Sequence, residues 1–138
     1  MTEKFYFDTS IWLDFFEERD EPNFPKSQWA NNLLNKIIRT DGRIIVSDIV
    51  VNELILIGYT LNEIENLLKP LKSILIFVEA TKQQVGRARD LASKRDIPKN
   101  DALHALIARD DKAILVTLDN HFKKIRDIIE PNSPKKLI

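Results

Sequence analysis

Two apolar stretches of the sequence end in the same way, with an aspartate and a threonine. Phe5-Tyr6-Phe7 is followed by Asp8 and Thr9, and Ile114-Leu115-Val116 is followed by Thr117 and Asp119. A strand buried on both faces should not end on a charge unless that charge has a partner. These two aspartates are therefore the first candidates for chemistry, and Asp8 is the stronger because its strand is so apolar.

Two further candidate carboxylates lie in segments with helical spacing. Asp101 falls in the first turn of a helix opened by Pro98, where the helix dipole stabilises a negative charge by roughly 0.3–1 kcal/mol. Glu53 lies beside the apolar stripe of another helix. Helix capping explains Asp101 equally well, a solvated position explains Glu53, and a turn or N-cap position explains Asp119. These alternatives stay open.

Four acids from separate segments need positive charge if they converge. Two like charges about 4 Å apart repel by around 4 kcal/mol at an effective dielectric constant near 20. Either the acids take up protons or a divalent cation lies among them. The chain has no cysteine, so the ligands would be oxygen atoms and the natural cations are Mg²⁺ and Mn²⁺. Such ions can deprotonate a bound water, polarise a phosphate and stabilise the attacking and leaving oxygens.

Other groups that could carry chemistry are assigned structural positions. We interpret His104, on an apolar helix, as a packed side chain and His121 as a surface turn residue. Asp14, Asp48 and Asp110 are assigned to solvated or capping positions. Only three glycines are present, and neither a glycine-rich phosphate-binding motif nor a Gly-x-Ser-x-Gly motif occurs. ATP-driven, dinucleotide and serine-hydrolase chemistries therefore lose support.

Short apolar strands alternate with helices along the chain. Strands are predicted at residues 4–7, 43–47, 74–78 and 113–116, with a further edge strand at 128–129. Helices are predicted at residues 11–16, 28–39, 48–57, 61–69, 81–94, 98–110 and 121–125. Thr9 or Ser10 is the expected N-cap of the first helix, and residues 131–136 are expected to be coil. The pattern predicts an α/β fold with a helix-covered parallel sheet, whose ligand site lies at the carboxyl ends of the strands.

Length and composition set the broad class of the protein. A chain of 138 residues is expected to form one domain, over residues 1–138. With 43% hydrophobic and 30% charged residues, it has the balance of a soluble globular protein. No apolar run approaches the roughly 20 residues of a membrane helix, and no signal-peptide pattern opens the chain. We therefore expect a cytoplasmic protein with no membrane association.

The net charge of zero conceals an uneven distribution. Residues 1–24 hold seven acids and two bases, whereas residues 81–99 hold six bases and two acids. A zero total argues against non-specific attraction of nucleic acid to the whole surface. Solvated helix faces explain the two segments as well as a functional polarity does.

The assembled motifs resemble the PIN-domain family of metal-dependent ribonucleases, and in particular its small VapC-type toxins of toxin-antitoxin pairs. The matching pieces lie within residues 4–125 and are Phe7-Asp8-Thr9-Ser10, Val51-Asn52-Glu53-Leu54, Asn100-Asp101-Ala102-Leu103-His104-Ala105 and Val116-Thr117-Leu118-Asp119-Asn120-His121-Phe122. The resemblance implies a three-layer PIN-like fold, with a central parallel sheet of four or five strands flanked by helices. It also implies hydrolysis of RNA phosphodiester bonds with Mg²⁺ or Mn²⁺.

Carried over position by position, the resemblance implies a catalytic site that also binds the metal, made of Asp8, Glu53, Asp101 and Asp119. It implies supporting roles for Thr9, Thr117 and Asn120. It further implies an RNA substrate, a homodimer and an antitoxin partner, with the basic segment 81–99 flanking an RNA groove.

Three alternative functions stay open at this point. One is a free-standing RNA-processing nuclease, and another is a catalytically silent PIN-fold module that binds RNA or protein. The third is a phosphotransfer enzyme of the haloacid dehalogenase type, which also has an aspartate at the end of its first strand. Those enzymes usually carry a second aspartate two residues later, where this chain has Ser10.

Overall fold

The computed structural model describes residues 2–138 and contains a five-stranded parallel sheet flanked by helices. The strands are β1 (Lys4–Phe7), β2 (Arg43–Ser47), β3 (Leu75–Val78), β4 (Ile114–Val116) and β5 (Pro131–Asn132). Their spatial order is β3-β2-β1-β4-β5, and every neighbouring pair is parallel. The predicted fold class is confirmed. Met1 lies outside the described residues, and the assignment of a single domain over 1–138 stays a prediction.

Seven α-helices lie between residues 2 and 138: α1 (Thr9–Glu17), α2 (Lys26–Arg39), α3 (Asp48–Ile57), α4 (Leu61–Leu68), α5 (Lys82–Arg95), α6 (Lys99–Asp110) and α7 (Pro134–Leu137). Two 3₁₀ segments, Lys69–Ile74 and Asn120–Ile125, complete the chain. Between residues 2 and 138, none of these helices combines the length and the hydrophobicity that crossing a bilayer requires.

Local sequence signals account for several of these boundaries. The Ser47 hydroxyl accepts a hydrogen bond from the Val50 amide and caps α3, which ends at Gly58 with a φ of 127°. Thr60 and Glu63 form the reciprocal capping box expected at the start of α4. In β1 the alternate faces of the strand are both buried, because Tyr6 and Phe7 are 0% exposed. A strand with two covered faces is typical of a parallel sheet.

Two predictions about the chain ends were wrong. The N-cap of α1 is Asp8 rather than Thr9 or Ser10, because the Asp8 side chain accepts the Ile11 amide. The fifth strand is Pro131–Asn132 rather than residues 128–129, and the tail expected to be coil also forms α7. The Asn132 carbonyl accepts a hydrogen bond from the Thr117 amide over 2.9 Å. This hydrogen bond depends on the position of β4, which the sequence of the tail does not predict.

The prediction of a solvated or capping position was also wrong for Asp14. Its side chain is 2% exposed and lies 2.8 Å from Arg19 Nη2 and 3.9 Å from Lys26 Nζ. Burial raises the pKa of the Asp14 carboxyl, and the hydrogen bond and charge of Arg19 oppose this rise. An acid on an otherwise apolar helix is therefore satisfied by bases that follow it in the chain.

The strand order places the site. The chain builds the sheet outwards on one side of β1 and then returns to the other side with β4, so the order reverses between these two strands. In parallel α/β sheets the crevice beyond the carboxyl ends of the strands at such a reversal is the usual ligand site. The carboxyl ends of β1 and β4 carry Asp8 and Thr117.

Candidate metal centre

Asp8 is held at the carboxyl end of β1 by two hydrogen bonds. Its Oδ1 accepts the Ile11 amide over 3.0 Å, and its Oδ2 accepts the Thr117 hydroxyl over 2.5 Å. The residue is only 4% exposed. Burial raises the pKa of this carboxyl to about 6, although the Thr117 hydroxyl, the charge of His104 and the Ile11 amide each lower it. Asp8 is thus a carboxyl group with a fixed orientation and a raised pKa.

Asp101, Asp119 and His121 form a compact group beside it. One ligand atom from each lies within 4.8 Å of the others. His121 Nδ1 is 3.2 Å from Asp101 Oδ2 and 3.2 Å from Asp119 Oδ1. Asp101 lies in the first turn of α6, whereas Asp119 is the N-cap of the second 3₁₀ segment. Tertiary structure therefore brings together two acids that are 18 residues apart in the sequence.

The two acids of this group repel one another. Burial raises the pKa of Asp101, and the nearby charge of Asp119 raises it further, while His104 and His121 partly offset the effect. A raised pKa of this kind means that the surroundings disfavour the charged form. Added positive charge between the two carboxylates would stabilise them as a pair.

Glu53 reaches the same edge of the sheet from α3. Its Oε1 accepts the Thr9 hydroxyl over 2.6 Å and lies 2.5 Å from His104 Nε2. Burial would raise the pKa of Glu53, but hydrogen bonds from His104, Thr9 and Asn100 and the charge of His104 together hold it below its ordinary value. The side chain remains 26% exposed, so it is charged and open on one side.

The structure brings some of the sequence-predicted site residues closer together than others. Asp101 and Asp119 share the compact group, whereas Asp8 and Glu53 stand outside it at the 4.8 Å spacing. Thr117 links one of them to the group, because its hydroxyl donates to Asp8 and accepts the Asp119 amide over 3.0 Å. Thr9 bonds to Glu53, whereas Asn120 is exposed at the start of the second 3₁₀ segment.

Both histidines lie closer to the acids than the sequence interpretation allowed. His121 is exposed, as a turn residue should be, but its ring contacts two of the acids. His104 is buried, as expected, but it contacts Glu53 and Tyr6 through its two nitrogens. No local pattern in the sequence predicts these contacts. His104 follows Asp101 by three residues on one helix but bonds to Tyr6 and Glu53. His121 follows Asp119 by two residues but also reaches Asp101 on α6.

The side chains of the compact group fit a divalent cation. Two carboxylates and one imidazole supply oxygen and nitrogen donors that lie within 4.8 Å of one another. Carboxylate oxygens suit both Mg²⁺ and Mn²⁺. An imidazole nitrogen is a better ligand for Mn²⁺, the transition metal of the two, than for Mg²⁺. The charge repulsion between Asp101 and Asp119 agrees with this, because it is the effect that a cation relieves.

Comparisons with known proteins agree with this architecture. A family model described as PIN domain matches residues 5–128. Comparison with curated protein sequences gives no match. Among solved structures, a toxin-antitoxin complex from Klebsiella pneumoniae matches with a TM-score of 0.66 and 18% identity, covering 94% of this chain and 97% of that chain.

Two further solved structures match over similar lengths. VapBC2 from Rickettsia felis, bound to a DNA fragment from its promoter, has a TM-score of 0.63 and 21% identity over 94% of this chain and 96% of that chain. FitAcB from Neisseria gonorrhoeae has a TM-score of 0.61 and 20% identity over 94% and 97%. At these identities the structural matches show a shared fold.

Proposed function

The chain belongs to the PIN-domain family, whose model matches 124 of its 138 residues, and we propose that it is a divalent-metal-dependent endoribonuclease acting as the toxin of a toxin-antitoxin pair. Members of this family are generally nucleases. The observation that carries the proposal is the group formed by Asp101, Asp119 and His121 beside the hydrogen-bonded acids Asp8 and Glu53. These side chains cluster at the point of the sheet where ligands usually bind.

In the proposed reaction the protein supplies the ligands, and water supplies the nucleophile. Asp101, Asp119 and His121 would hold Mg²⁺ or Mn²⁺, and Asp8 and Glu53 would complete the acidic site. When bound, such an ion stabilises negative charge on the phosphate and makes the attacking water more acidic. The Thr117 hydroxyl keeps the Asp8 carboxylate in one orientation, and the Thr9 hydroxyl does the same for Glu53. Such pre-orientation lowers the cost of reaching the reactive geometry.

Exposure and charge support RNA as the substrate. The compact group faces solvent on one side, because the side chains of His121 and Asp119 are 50% and 33% exposed. The basic helix α5 packs against α6, which carries Asp101. Its exposed bases include Arg87 and Arg89. We propose that this helix contacts the phosphate backbone, since lysine and arginine supply the sequence-independent part of nucleic-acid affinity.

The decisive experiment is cleavage of structured RNAs by the purified protein in Mg²⁺ or Mn²⁺, compared with EDTA. We expect Asp101→Asn to lower the cleavage rate on the order of 100-fold, because loss of a group supporting the metal has effects of that size. Asp41→Asn makes the same chemical change at an exposed turn after α2 and should leave the rate unchanged. Cleavage that survives both EDTA and Asp101→Asn would overturn the proposal.

RNA cleavage, growth on expression and phosphomonoester hydrolysis together distinguish the alternative functions. A catalytically silent module would bind RNA or protein without cutting RNA in either metal. A free-standing RNA-processing nuclease would cut RNA, but its expression would not arrest growth. The toxin role predicts growth arrest that Asp8→Asn relieves. Hydrolysis of a small phosphomonoester in place of RNA would favour the dehalogenase-type phosphotransfer enzyme.

We propose an antitoxin as the protein partner. The support is that solved structures with this fold include a toxin-antitoxin complex and VapBC2. The proposal predicts that a protein encoded beside this chain copurifies with it when the two are expressed together. It also predicts that this protein suppresses both RNA cleavage and growth arrest.

We also propose that the chain forms a homodimer through an apolar groove between α3, α4 and β3. The groove has a volume of about 550 Å³, none of the four site acids lines it, and its apolar lining includes Val51, Leu61, Ile64 and Phe77. Leu61, at the start of α4, is 55% exposed, and Phe77 is 61% exposed. Glu65, Lys69 and Lys72 place both charge signs on this groove. A two-fold contact requires such a self-complementary surface.

A further inference from the structure

A chain of buried hydrogen bonds runs from the start of α3 through the sheet and back to α3. Ser47 Oγ lies 2.6 Å from the Tyr6 hydroxyl, and that hydroxyl lies 2.5 Å from His104 Nδ1. His104 Nε2 lies 2.5 Å from Glu53 Oε1. Ser47 and Tyr6 are 0% exposed and His104 is 2% exposed. Four side chains from β2, β1, α6 and α3 are thereby joined.

The last acceptor determines which ring nitrogen of His104 faces it as a donor. Glu53 Oε1 accepts the Thr9 hydroxyl, and a carboxylate oxygen can only accept. His104 Nε2 therefore carries a proton, and with His104 in its neutral form Nδ1 is an acceptor. The Tyr6 hydroxyl donates to Nδ1 and in turn accepts the Ser47 hydroxyl. Ser47 Oγ still accepts the Val50 amide over 3.3 Å, so every member is satisfied.

The chain begins and ends on the same helix. Ser47 is the N-cap of α3, and Glu53 is the sixth residue of that helix. Tyr6 on β1 and His104 on α6 connect these two residues through three successive hydrogen bonds. A closed set of short hydrogen bonds restricts the rotation of Glu53 much more than a single contact would, because each partner is itself held by packing.

The Thr9 and His104 hydrogen bonds to Glu53 use the same oxygen, and the Asn100 side chain is a third contact of the carboxylate. Thr9 Oγ1 donates to Oε1 over 2.6 Å, and His104 Nε2 reaches that atom as well. Oε2 accepts neither of these bonds. The carboxylate is 26% exposed, so the buried network ends at a group that is open to a ligand. A network that served packing alone would not need to end on a half-exposed charge, since burial of polar groups is costly.

We propose that Tyr6 and His104 are positioning residues that fix the Glu53 carboxylate through Oε1 and leave Oε2 as the oxygen offered to the cation. The proposal rests on the metal-dependent function proposed above. His104 acts through Glu53 and is not itself a ligand. Tyr6 acts one step further away by fixing the tautomer of His104, as the partner of a ring nitrogen commonly does in metal sites.

Three variants test the proposal on the whole chain. Tyr6→Phe removes only the hydroxyl that fixes the His104 tautomer. His104→Leu removes the donor to Glu53, and His104→Gln places an amide donor near the position of Nε2. We expect Mn²⁺ affinity, measured by titration calorimetry without RNA, to fall about 10–100-fold in Tyr6→Phe and His104→Leu. We expect His104→Gln to recover most of the affinity.

A spectroscopic measurement separates positioning from a role in folding. In nitrogen-15 spectra of the imidazole, the unmodified protein should show one tautomer, with its proton on Nε2 of His104. Tyr6→Phe should show a mixture of tautomers while circular dichroism remains that of the folded protein, with a lower Tm because buried partners of the hydroxyl lose a hydrogen bond. If His104→Leu fails to fold, Tyr6→Phe and His104→Gln still decide the outcome.

The outcomes are distinct for the two proposals. Mn²⁺ affinity that is unchanged in Tyr6→Phe and His104→Leu would overturn the positioning role and leave the nuclease proposal intact. An unmodified protein that binds Mn²⁺ through Glu53 but cuts no RNA would overturn the nuclease proposal alone. An unmodified protein that binds no Mn²⁺ would overturn both.

Discussion

The Thr117 hydroxyl donates a 2.5 Å hydrogen bond to the Oδ2 atom of Asp8, across 109 positions of sequence. The Thr117 hydroxyl oxygen also accepts the Asp119 amide over 3.0 Å. One side chain thus joins the carboxyl ends of β1 and β4 and orients an acid on each. Because β1 and β4 are neighbours in the sheet, this contact can form and hold Asp8 close to Asp119.

Removing the Thr117 hydroxyl should destabilise the protein. Thr117→Val leaves Oδ2 of the buried Asp8 carboxylate without its donor and the Asp119 amide without this acceptor. We expect the free energy of unfolding to fall by about 1–3 kcal/mol, the usual cost of an unsatisfied buried polar group. Urea unfolding followed by circular dichroism measures this change. Thr117→Ser keeps the hydroxyl and is the matched control, so equal stability of the two variants would contradict the prediction.

Neutralising Asp8 should stabilise the metal-free protein above about pH 6. Burial raises the pKa of Asp8 from 3.8 to about 6, so the folded protein binds this proton more tightly than the unfolded chain does. The resulting cost to stability is absent below about pH 4, grows between pH 4 and 6 and is complete above pH 6. It reaches up to about 3 kcal/mol, since two pKa units correspond to roughly 1.4 kcal/mol each.

Unfolding in EDTA as a function of pH measures this effect. Asp8→Asn should be more stable than the unmodified protein at pH 7.5, and its advantage should vanish near pH 4. Asp41→Asn makes the same change at an exposed turn position and should follow the unmodified protein at both pH values. A difference between Asp8→Asn and the unmodified protein that is independent of pH would rule out this linkage.

Removing the His121 imidazole should change which metal the site prefers. The ring contacts both acids of the compact group, and imidazole nitrogen suits Mn²⁺ better than Mg²⁺. We expect His121→Ala to lower Mn²⁺ affinity by roughly tenfold or more and to lower Mg²⁺ affinity less. Titration calorimetry with each ion measures the ratio. Lys123→Gln, in the same 3₁₀ segment, is the control, and an equal loss for both ions in His121→Ala would count against ligation by the ring.

A charge at Leu61 should dissociate the proposed homodimer without unfolding the protein. Leu61 lines the groove and is 55% exposed at the start of α4, so a polar side chain there costs little in the monomer. Buried in a dimer interface, an unpaired carboxylate is strongly unfavourable. Light scattering after gel filtration should give a dimer for the unmodified protein and a monomer for Leu61→Glu. Ile38→Glu, on exposed α2, should remain dimeric, and a dimer in both variants would place the interface elsewhere.

Much of the framework follows from local sequence because short-range physics decides it. The apolar runs of β1, β2 and β4 have no other way to hide their side chains than in a covered sheet. Ser47 and Thr60 cap α3 and α4 with their own hydroxyls, so the starts of these two helices could be predicted from a few residues. The resemblance to the PIN-domain family rested on the same local motifs, and the family match over residues 5–128 confirmed it.

What depended on distant contacts was missed. The Pro131–Asn132 strand exists because it pairs with the edge of β4, and Asp14 is buried where α2, which carries Lys26, packs against α1. The contacts of His121 with two acids and of His104 with Tyr6 and Glu53 arise only when α3, α6, β1 and the turn after β4 meet. By itself the sequence determined which residue types stand at the strand and helix ends. Tertiary structure alone decided which of them meet, since hydrogen bonds and charge interactions act over a few ångströms in space whatever their separation along the chain.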